Sequence, residues 1–221
     1  MLAVDDLQAL LLTLKLSAVT TLFLLLVCTP LAWWLSQTRV RFKFVIDAIA
    51  ALPLVLPPTV IGFYLLLLLG ANGPLAQHFD VNLAFTFWGL VVGSMIYSFP
   101  FVLQPLQDVF RSLGSRPIET AQTLGAGPWD RFFNVALPLS KSGFLTATVL
   151  GFAHTLGEFG VVLMIGGNIP GETRLASIAI YEHVETLEYG QAHTLSLWIL
   201  AIALMLLMFA YGFARRRMLH T

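Results

Sequence analysis

The sequence has few charged residues and a single cysteine. Only 11% of its 221 residues are Asp, Glu, Lys or Arg, whereas 57% are hydrophobic, and the mean hydropathy is +0.82. Since about a quarter of the residues of a soluble domain are charged, this composition predicts an integral membrane protein. With Cys28 as the only cysteine, the chain cannot form an internal disulfide.

The chain also lacks the motifs of nucleotide and metal chemistry. It contains no G-x-x-x-x-G-K-[ST] phosphate loop, no H-E-x-x-H pair and no long hydrophilic segment. Its histidines are scattered without metal-ligand spacing, at His78, His154, His183, His193 and His220. We therefore expect no metal site, no cofactor and no catalytic activity in this chain. If it performs active transport, the energy must come from a partner or from an ion gradient.

Five segments are long and apolar enough to cross a membrane, because about 20 apolar residues span a hydrocarbon core of roughly 30 Å. These predicted spans cover residues 7–35, 44–69, 85–110, 139–165 and 195–213. Their proline and glycine content favours a bundle of kinked helices over a barrel. The sequence thus predicts an all-α membrane protein with one transmembrane domain over residues 1–221.

The basic residues predict the orientation of the spans. With an odd number of spans, ten of the twelve basic residues fall on one side: Arg39, Arg41, Lys43, Arg111, Arg116, Arg131, Lys141, Arg215, Arg216 and Arg217. Cytoplasmic loops are enriched in Lys and Arg, so we expect the N-terminus outside and the C-terminus inside. Lys15 lies within the first span near its outer end, and Arg174 is the basic exception on an otherwise acidic external side.

Residues 175–189 have a different pattern. Apolar residues recur there at near-helical spacing, with glutamates at other positions. This pattern predicts an amphipathic helix on the external side. A sixth span over the same residues is the alternative, although it would break the charge asymmetry.

The largest predicted cytoplasmic loop, residues 111–138, has the features of two short helices. Pro117 suits the first turn of a helix, and Gly125 suits the left-handed residue that ends one. Pro128 begins a second helix, which Pro138 is expected to end before the next span. A compact connector and a docking surface for a soluble partner both fit this pattern.

This loop resembles a motif of a known family. The residues Glu119-Thr120-Ala121, Gly125 and Val135-Ala136-Leu137-Pro138 have the spacing of the "EAA---G---------I-LP" loop of bacterial ABC importer permeases. The match departs at Thr120, where the family usually has Ala, and at Val135, where it often has Ile. In that family the loop docks on the ATPase subunit, which implies an ATPase contact over residues 115–135. The coupling residues so implied are Glu119, Thr120, Ala121, Leu124, Gly125, Ala126, Gly127, Trp129, Arg131, Leu137 and Pro138.

Three further stretches resemble the molybdate branch of these permeases. They are "LPLVLPP" at residues 52–58, "LGEFG" at 156–160 and "GGNIPGETR" at 166–174. Sulfate permeases carry similar G-E-[FY]-G and G-N-I stretches but differ after the Asn-Ile. The resemblance therefore implies molybdate as substrate, with tungstate, a near-identical dianion, carried as well. A sulfate or thiosulfate importer of the same family is the alternative.

The resemblance also implies an assembly and a location. Two copies of the chain would form one pathway by alternating access in the bacterial cytoplasmic (inner) membrane. Two ATP-binding subunits would hold the ATP and Mg²⁺, and a periplasmic or lipoprotein molybdate-binding protein would deliver the anion. No nucleic-acid partner is implied.

Pathway or gate residues are expected at helix breaks and hydroxyl groups within the spans. Prolines there act either as static kinks or as hinges. The candidates are Pro57, Pro58, Ser98, Pro100, Thr155, Gly157, Glu158, Gly160 and Asn168.

Glu158 is the least expected of these residues, because it interrupts an apolar run. A carboxylate 4 Å from even a single negative charge would repel it by about 4 kcal/mol at an effective dielectric near 20, so it is not expected to bind the anion. One interpretation is that Glu158 is neutral, is locked by hydrogen bonds to the helix breaks near Gly157 and Gly160, or is paired with His154. The other is that it forms a gate contact across the dimer.

Other function classes have less support. A gradient-driven carrier needs ionisable residues within the membrane, and only Glu158 and His154 qualify. A membrane enzyme would need a clustered catalytic constellation, which is missing. A purely structural subunit would not require the two-helix loop.

Overall fold

The computed structural model describes residues 3–38 and 40–218 of the chain. Arg39 and the side chains of Arg215, Arg216 and Arg217, which contribute to the predicted orientation, lie outside the described part. Within the described residues the secondary structure is helical throughout, without a strand.

The helices follow one another with short connections. In chain order they are α1 (Val4–Gln37), α2 (Lys43–Ala51), α3 (Pro58–Leu69), α4 (Pro74–Phe79), α5 (Phe87–Ser112), α6 (Arg116–Thr123), α7 (Pro128–Asp130), α8 (Leu137–Leu139), α9 (Lys141–Leu156), α10 (Gly160–Gly166), α11 (Ala176–Glu185) and α12 (Tyr189–Met218). A 3₁₀ turn, Leu52–Leu54, follows α2, and a π-helical turn, Arg131–Ala136, joins α7 to α8.

The centre of the bundle is formed by α1, α5 and α9, which pack against one another along much of their length. Its largest apolar cluster includes Leu24 and Cys28 of α1, Leu106 and Phe110 of α5, and Ala147 of α9, all fully or almost fully buried. Cys28 therefore acts as a small apolar core residue. Burial of this interface fixes α5 and α9, which contribute side chains to the candidate site.

Two of the predicted spans are interrupted helices. The segment 44–69 is split into α2, the 3₁₀ turn and α3, which begins at Pro58 as expected for a proline in the first helical turn. The segment 139–165 is split into α9 and α10. The first, third and fifth predicted spans coincide with the long helices α1, α5 and α12.

In the described part of the chain, length and composition single out four helical segments that could cross a membrane: Val4–Gln37, Pro58–Phe79, Phe87–Ser112 and Tyr189–Phe209. A fifth candidate is the pair Pro128–Leu139 and Lys141–Leu156, which is bent by 72°. The exact span boundaries stay predictions.

The predicted external helix corresponds to α11, which packs against α1 and α12. Ala176, Ile178 and Ala179 are buried in these contacts. With 10 residues, α11 is about 15 Å long, which is half of the roughly 30 Å hydrocarbon core. Its length therefore argues against a sixth span.

We predict that Gly143→Ala destabilises the bundle, because a Cβ at Gly143 would lie 2.2 Å from Cγ1 of Val109 on α5. Valine is stiff at χ1, so α5 and α9 would have to separate, at a cost of about 1–3 kcal/mol. Thermal unfolding of the detergent-solubilised protein measures the effect. Gly190→Ala is the matched control, since nothing lies within 4 Å of its Cβ position. An unchanged melting temperature for Gly143→Ala would contradict this account of the α5–α9 contact.

Candidate functional site

The loop with the ABC permease spacing forms a compact protrusion, which we call the knob (residues 116–139). Helix α6 ends at Thr123, and Gly125 then adopts a left-handed φ of +88°, as its place after a helix predicts. A second helical segment begins at Pro128 and continues through the π-helical turn to Leu139. The expectation that Pro138 ends this segment is wrong by one residue, because the helical geometry continues to Leu139 and the sharp bend follows it.

One edge of the knob is apolar and exposed. Leu124 is 83% exposed and Trp129 is 76% exposed. The Trp129 ring stacks on Phe133, with centroids 6.1 Å apart and planes inclined by 17°. Arg131 Nη1 donates to Gln122 Oε1 at 2.9 Å and braces the second helical segment against α6. The knob therefore presents a braced apolar edge away from the bundle.

The opposite side of the knob is anchored in the core. Ile118 and Ala136 are buried in the main apolar cluster. Phe132 packs edge-on against Trp33 of α1, with centroids 5.5 Å apart, and Trp33 in turn packs against Phe110 of α5 at 5.3 Å. The predicted coupling residues thus lie on a protrusion that is fixed to α1 and α5.

Most of the predicted coupling residues are accessible. The exposed ones are Glu119, Thr120, Leu124, Gly125, Gly127, Trp129 and Pro138, and the half-buried ones are Ala121, Ala126, Arg131 and Leu137. The Thr120 hydroxyl donates to the Arg116 carbonyl at 2.9 Å within its own helix. The threonine that departs from the usual alanine is therefore accommodated without disturbing α6.

A hydroxyl–imidazole cluster links α5 to the end of α9. Ser98 Oγ lies 2.8 Å from His154 Nδ1 and 3.0 Å from Thr155 Oγ1. The His154 ring also stacks on Phe101, with centroids 3.8 Å apart, and lies 4.8 Å from the Tyr97 ring. These contacts hold the imidazole against α5.

The predicted pairing of Glu158 with His154 is therefore wrong. Glu158 is 3% exposed, and neither carboxyl oxygen makes a hydrogen bond within residues 3–38 and 40–218. The Ser94 hydroxyl is also buried without a hydrogen-bond partner in the same part of the chain. The predicted hydrogen bonds from the carboxyl to the nearby helix breaks are also missing there. Only the Glu158 backbone is tied down, since its carbonyl accepts a hydrogen bond from Ser177 Oγ at 2.7 Å.

The break between α9 and α10 packs against the break before α3. A Cβ at Gly160 would lie 2.8 Å from Cβ of Pro58, so only glycine fits this approach. A cleft of about 590 Å³ opens beside the two breaks. It is lined by Pro58, Thr59, Tyr97, Ala153, His154, Gly157, Glu158, Phe159, Gly160, Leu163 and Met164.

The structure gathers some predicted pathway residues and separates others. Pro58, Gly157, Glu158 and Gly160 line the same cleft, and Ser98 and Thr155 adjoin it through His154. Pro57 precedes α3 as its cap residue. Sequence reasoning missed Tyr97 and Thr59, because no local pattern distinguishes them from other residues of apolar helices.

Pro100 and Asn168 lie apart from this cleft. Pro100 lines a second cleft of about 320 Å³ between α2 and α5, where Asp47, Gln107 and Arg111 form a polar network. Asn168 donates to Glu182 at 3.0 Å and thereby ties the loop after α10 to α11. Asn168 therefore does not line this cleft, and its role as a pathway or gate residue stays a prediction.

Comparison with known proteins gives one family. Residues 28–218 match the family model described as "Binding-protein-dependent transport system inner membrane component". The chain is 55% identical over 214 residues to the molybdenum transport system permease protein ModB of Azotobacter vinelandii, covering 95% of each chain. It is 35% identical over 180 residues to the sulfate transport system permease protein CysT of Escherichia coli (strain K12), covering 80% of this chain and 65% of that one.

The fold also matches a solved transporter. A crystal structure of a bacterial ABC transporter involved in the import of the acidic polysaccharide alginate aligns with a TM-score of 0.79 at 18% identity, over 97% of this chain and 80% of that chain. At this identity the likeness concerns the fold alone.

We predict that Ser98→Ala lowers stability, because it removes the hydroxyl that contacts His154 and Thr155. Leaving a buried polar partner unsatisfied costs about 1–3 kcal/mol, to be read as a lower melting temperature of the solubilised protein. Ser112→Ala is the control on the same helix, because the Ser112 hydroxyl is exposed and bonds only the Val109 carbonyl. Equal melting temperatures for the two variants would show that the cluster does not hold α5 to α9.

Proposed function

Since the chain belongs to the family of binding-protein-dependent transport system inner membrane components, we propose that it is the membrane subunit through which an ATP-driven importer carries molybdate. The single observation that supports molybdate as the substrate is the 55% identity to a molybdenum permease over 95% of both chains. The identity to a sulfate permease is 35%, over less of each chain. Tungstate, of the same charge and shape, is expected to follow the same path.

The proposed assembly has two copies of this chain in the bacterial inner membrane, with the N-terminus outside and the C-terminus inside. Two ATPase subunits dock on the cytoplasmic side and hold ATP and Mg²⁺, so this chain is not itself catalytic. A periplasmic or lipid-anchored molybdate-binding protein delivers the anion from outside. The two-fold symmetry of the permease pair matches that of an ATPase dimer.

The knob is the proposed ATPase contact. Its exposed apolar edge at Leu124 and Trp129 suits burial in a groove of a soluble partner. Its inner side packs through Phe132 on Trp33 of the core, so a displacement of the knob is passed to α1 and α5. Such rigid-body motion between two states is a common mode of switching, and here it would alternate access to the pathway.

The cleft at the two helix breaks is proposed to form part of the translocation pathway. Its lining contains no lysine or arginine, so a dianion would bind weakly and could leave, as conduction requires. Glu158 finds no partner for its carboxyl oxygens among the described residues of its own chain. We therefore favour a contact between Glu158 and the second copy, acting as a gate, over a lock within one chain.

We predict that Gly125→Val uncouples ATP hydrolysis from uptake. Gly125 has a φ of +88°, a region that β-branched residues avoid, while no atom lies within 4 Å of its Cβ position. The substitution thus disturbs only the corner of the knob. Gly125→Asn is the matched control, because asparagine tolerates left-handed geometry. In proteoliposomes, the valine variant should transport less substrate per ATP hydrolysed, whereas the asparagine variant should keep the wild-type ratio. Normal coupling in Gly125→Val would argue against the knob as the contact.

The substrate is tested by uptake of labelled molybdate in a permease-deficient strain that expresses this chain with its ATPase and binding protein. We expect molybdate uptake that unlabelled tungstate suppresses and a similar concentration of sulfate does not. Sulfate uptake at the expense of molybdate would contradict molybdate as the substrate without contradicting the proposed architecture. Uptake by proteoliposomes that contain this chain alone would overturn the ATP-driven class.

A further inference from the structure

Four polar side chains line the cleft at the two helix breaks. They are Thr59 of α3, Tyr97 of α5, His154 of α9 and Glu158 of the break between α9 and α10. The other residues that line the cleft are apolar or glycine. Side-chain hydrogen bonds to an anion in this cleft can therefore come only from these four residues.

The Glu158 carboxyl group does not face the space inside the cleft. Both of its oxygens are buried, and the residue as a whole is 3% exposed. An anion in the cleft would therefore meet the three other polar side chains. Any negative charge on Glu158 would weaken the binding of an anion, in line with a site that must release it again.

The other three residues each have a polar atom that the fold does not use. The Thr59 hydroxyl, the Tyr97 hydroxyl and His154 Nε2 make no hydrogen bond within the part of the chain that the structure describes. None of these three atoms is among the buried polar atoms that lack a partner there, so each is accessible. Three helices thus bring three accessible polar groups to one cleft.

The contacts of His154 leave its Nε2 edge free. The ring stacks on Phe101, with centroids 3.8 Å apart, and lies 4.8 Å from the Tyr97 ring. Its Nδ1 lies 2.8 Å from the Ser98 hydroxyl. Because Nδ1 is engaged, the ring edge that can still contact a ligand carries Nε2.

The Ser98 hydroxyl can set which nitrogen of His154 carries the proton. Thr155 donates its own proton to the Gly151 carbonyl at 3.0 Å. Ser98 has one proton, and of its two contacts the one to His154 Nδ1 is shorter than the one to Thr155, at 2.8 Å against 3.0 Å. When Ser98 donates to Nδ1, the neutral imidazole has its proton on Nε2 and can donate it into the cleft.

We propose that the Thr59 hydroxyl, the Tyr97 hydroxyl and His154 Nε2 form a binding site for a tetrahedral oxyanion, at which three neutral donors from three helices contact the anion. This inference rests on the function proposed above and names the groups that bind the substrate in the pathway. Hydrogen bonds to an ionised acceptor are strong, but without a cationic side chain the site can release the anion. A motion that separates α3 from α5 and α9 would divide the donor set and promote this release.

The test uses the complete transporter, this chain with its ATPase subunits in proteoliposomes, supplied with the molybdate-loaded binding protein. Tyr97→Phe and Thr59→Val each remove one donor with almost no change in shape. We expect each to lower the rate of molybdate uptake about tenfold, as for the loss of one hydrogen bond to a charged partner. The ATPase rate and the melting temperature should stay at their wild-type values. His154→Gln keeps an N–H donor and should retain more uptake than His154→Phe.

Tyr64→Phe is the matched control, because it removes a tyrosine hydroxyl from α3 at a position that is 65% exposed and does not line the cleft. It should take up molybdate as wild type does. Wild-type uptake by either Tyr97→Phe or Thr59→Val would overturn the proposed site. A loss of uptake that is matched by a lower melting temperature would also overturn it, because these groups would then stabilise the bundle and not bind the anion.

The same assay separates this inference from the function on which it rests. If the wild-type complex imports sulfate in place of molybdate, the proposed substrate fails, and the same variants assayed with sulfate still decide the oxyanion site. If the wild-type complex imports no oxyanion with its binding protein, the proposed function fails and the inference fails with it.

Discussion

The contact between Gly160 and Pro58 holds two helix breaks against each other, and the candidate pathway depends on it. A helix break frees backbone groups that hydrocarbon cannot satisfy, so it persists at membrane depth only against protein or water. Here each break covers the other, since a Cβ at Gly160 would lie 2.8 Å from that of Pro58. The cleft lies where the backbone leaves regular helical geometry twice, before Pro58 and before Gly160, at neighbouring positions in space.

Glu158 is buried in the break between α9 and α10. A carboxylate at bilayer depth costs about 2.5–3.5 kcal/mol on insertion scales, so a compensating contact is expected for Glu158. Within the described residues the imidazole of His154 bonds Ser98 instead, and the carboxyl oxygens find no partner. The compensation is thus expected from a second copy of the chain, in agreement with the proposed dimer.

The sequence predicted the features that have local causes. Apolar length located α1, α5 and α12, and a glycine after a short helix located the left-handed corner at Gly125. The resemblance drawn from the loop spacing is confirmed by the family match. The sequence did not predict contacts between helices, such as that between Ser98 and His154, because these residues are 56 positions apart. Helical periodicity does not say which faces of two helices meet, so the sequence alone does not show that Pro100 lines a different cleft from Glu158.

Helix α5 connects the knob to the cleft. Phe110, near one end of α5, packs on Trp33, and Trp33 also packs on Phe132 of the knob. Tyr97 and Ser98, further along the same helix, lie beside the cleft. From Tyr97 to Phe110 the helix rises about 20 Å, and it remains continuous through Pro100 and Pro105. A push on the knob would therefore reach the cleft through one unbroken helix and not through a series of flexible loops. In the proposed coupling mechanism, the exposed apolar edge would contact the ATPase, and the buried aromatic side would keep the knob fixed to the core.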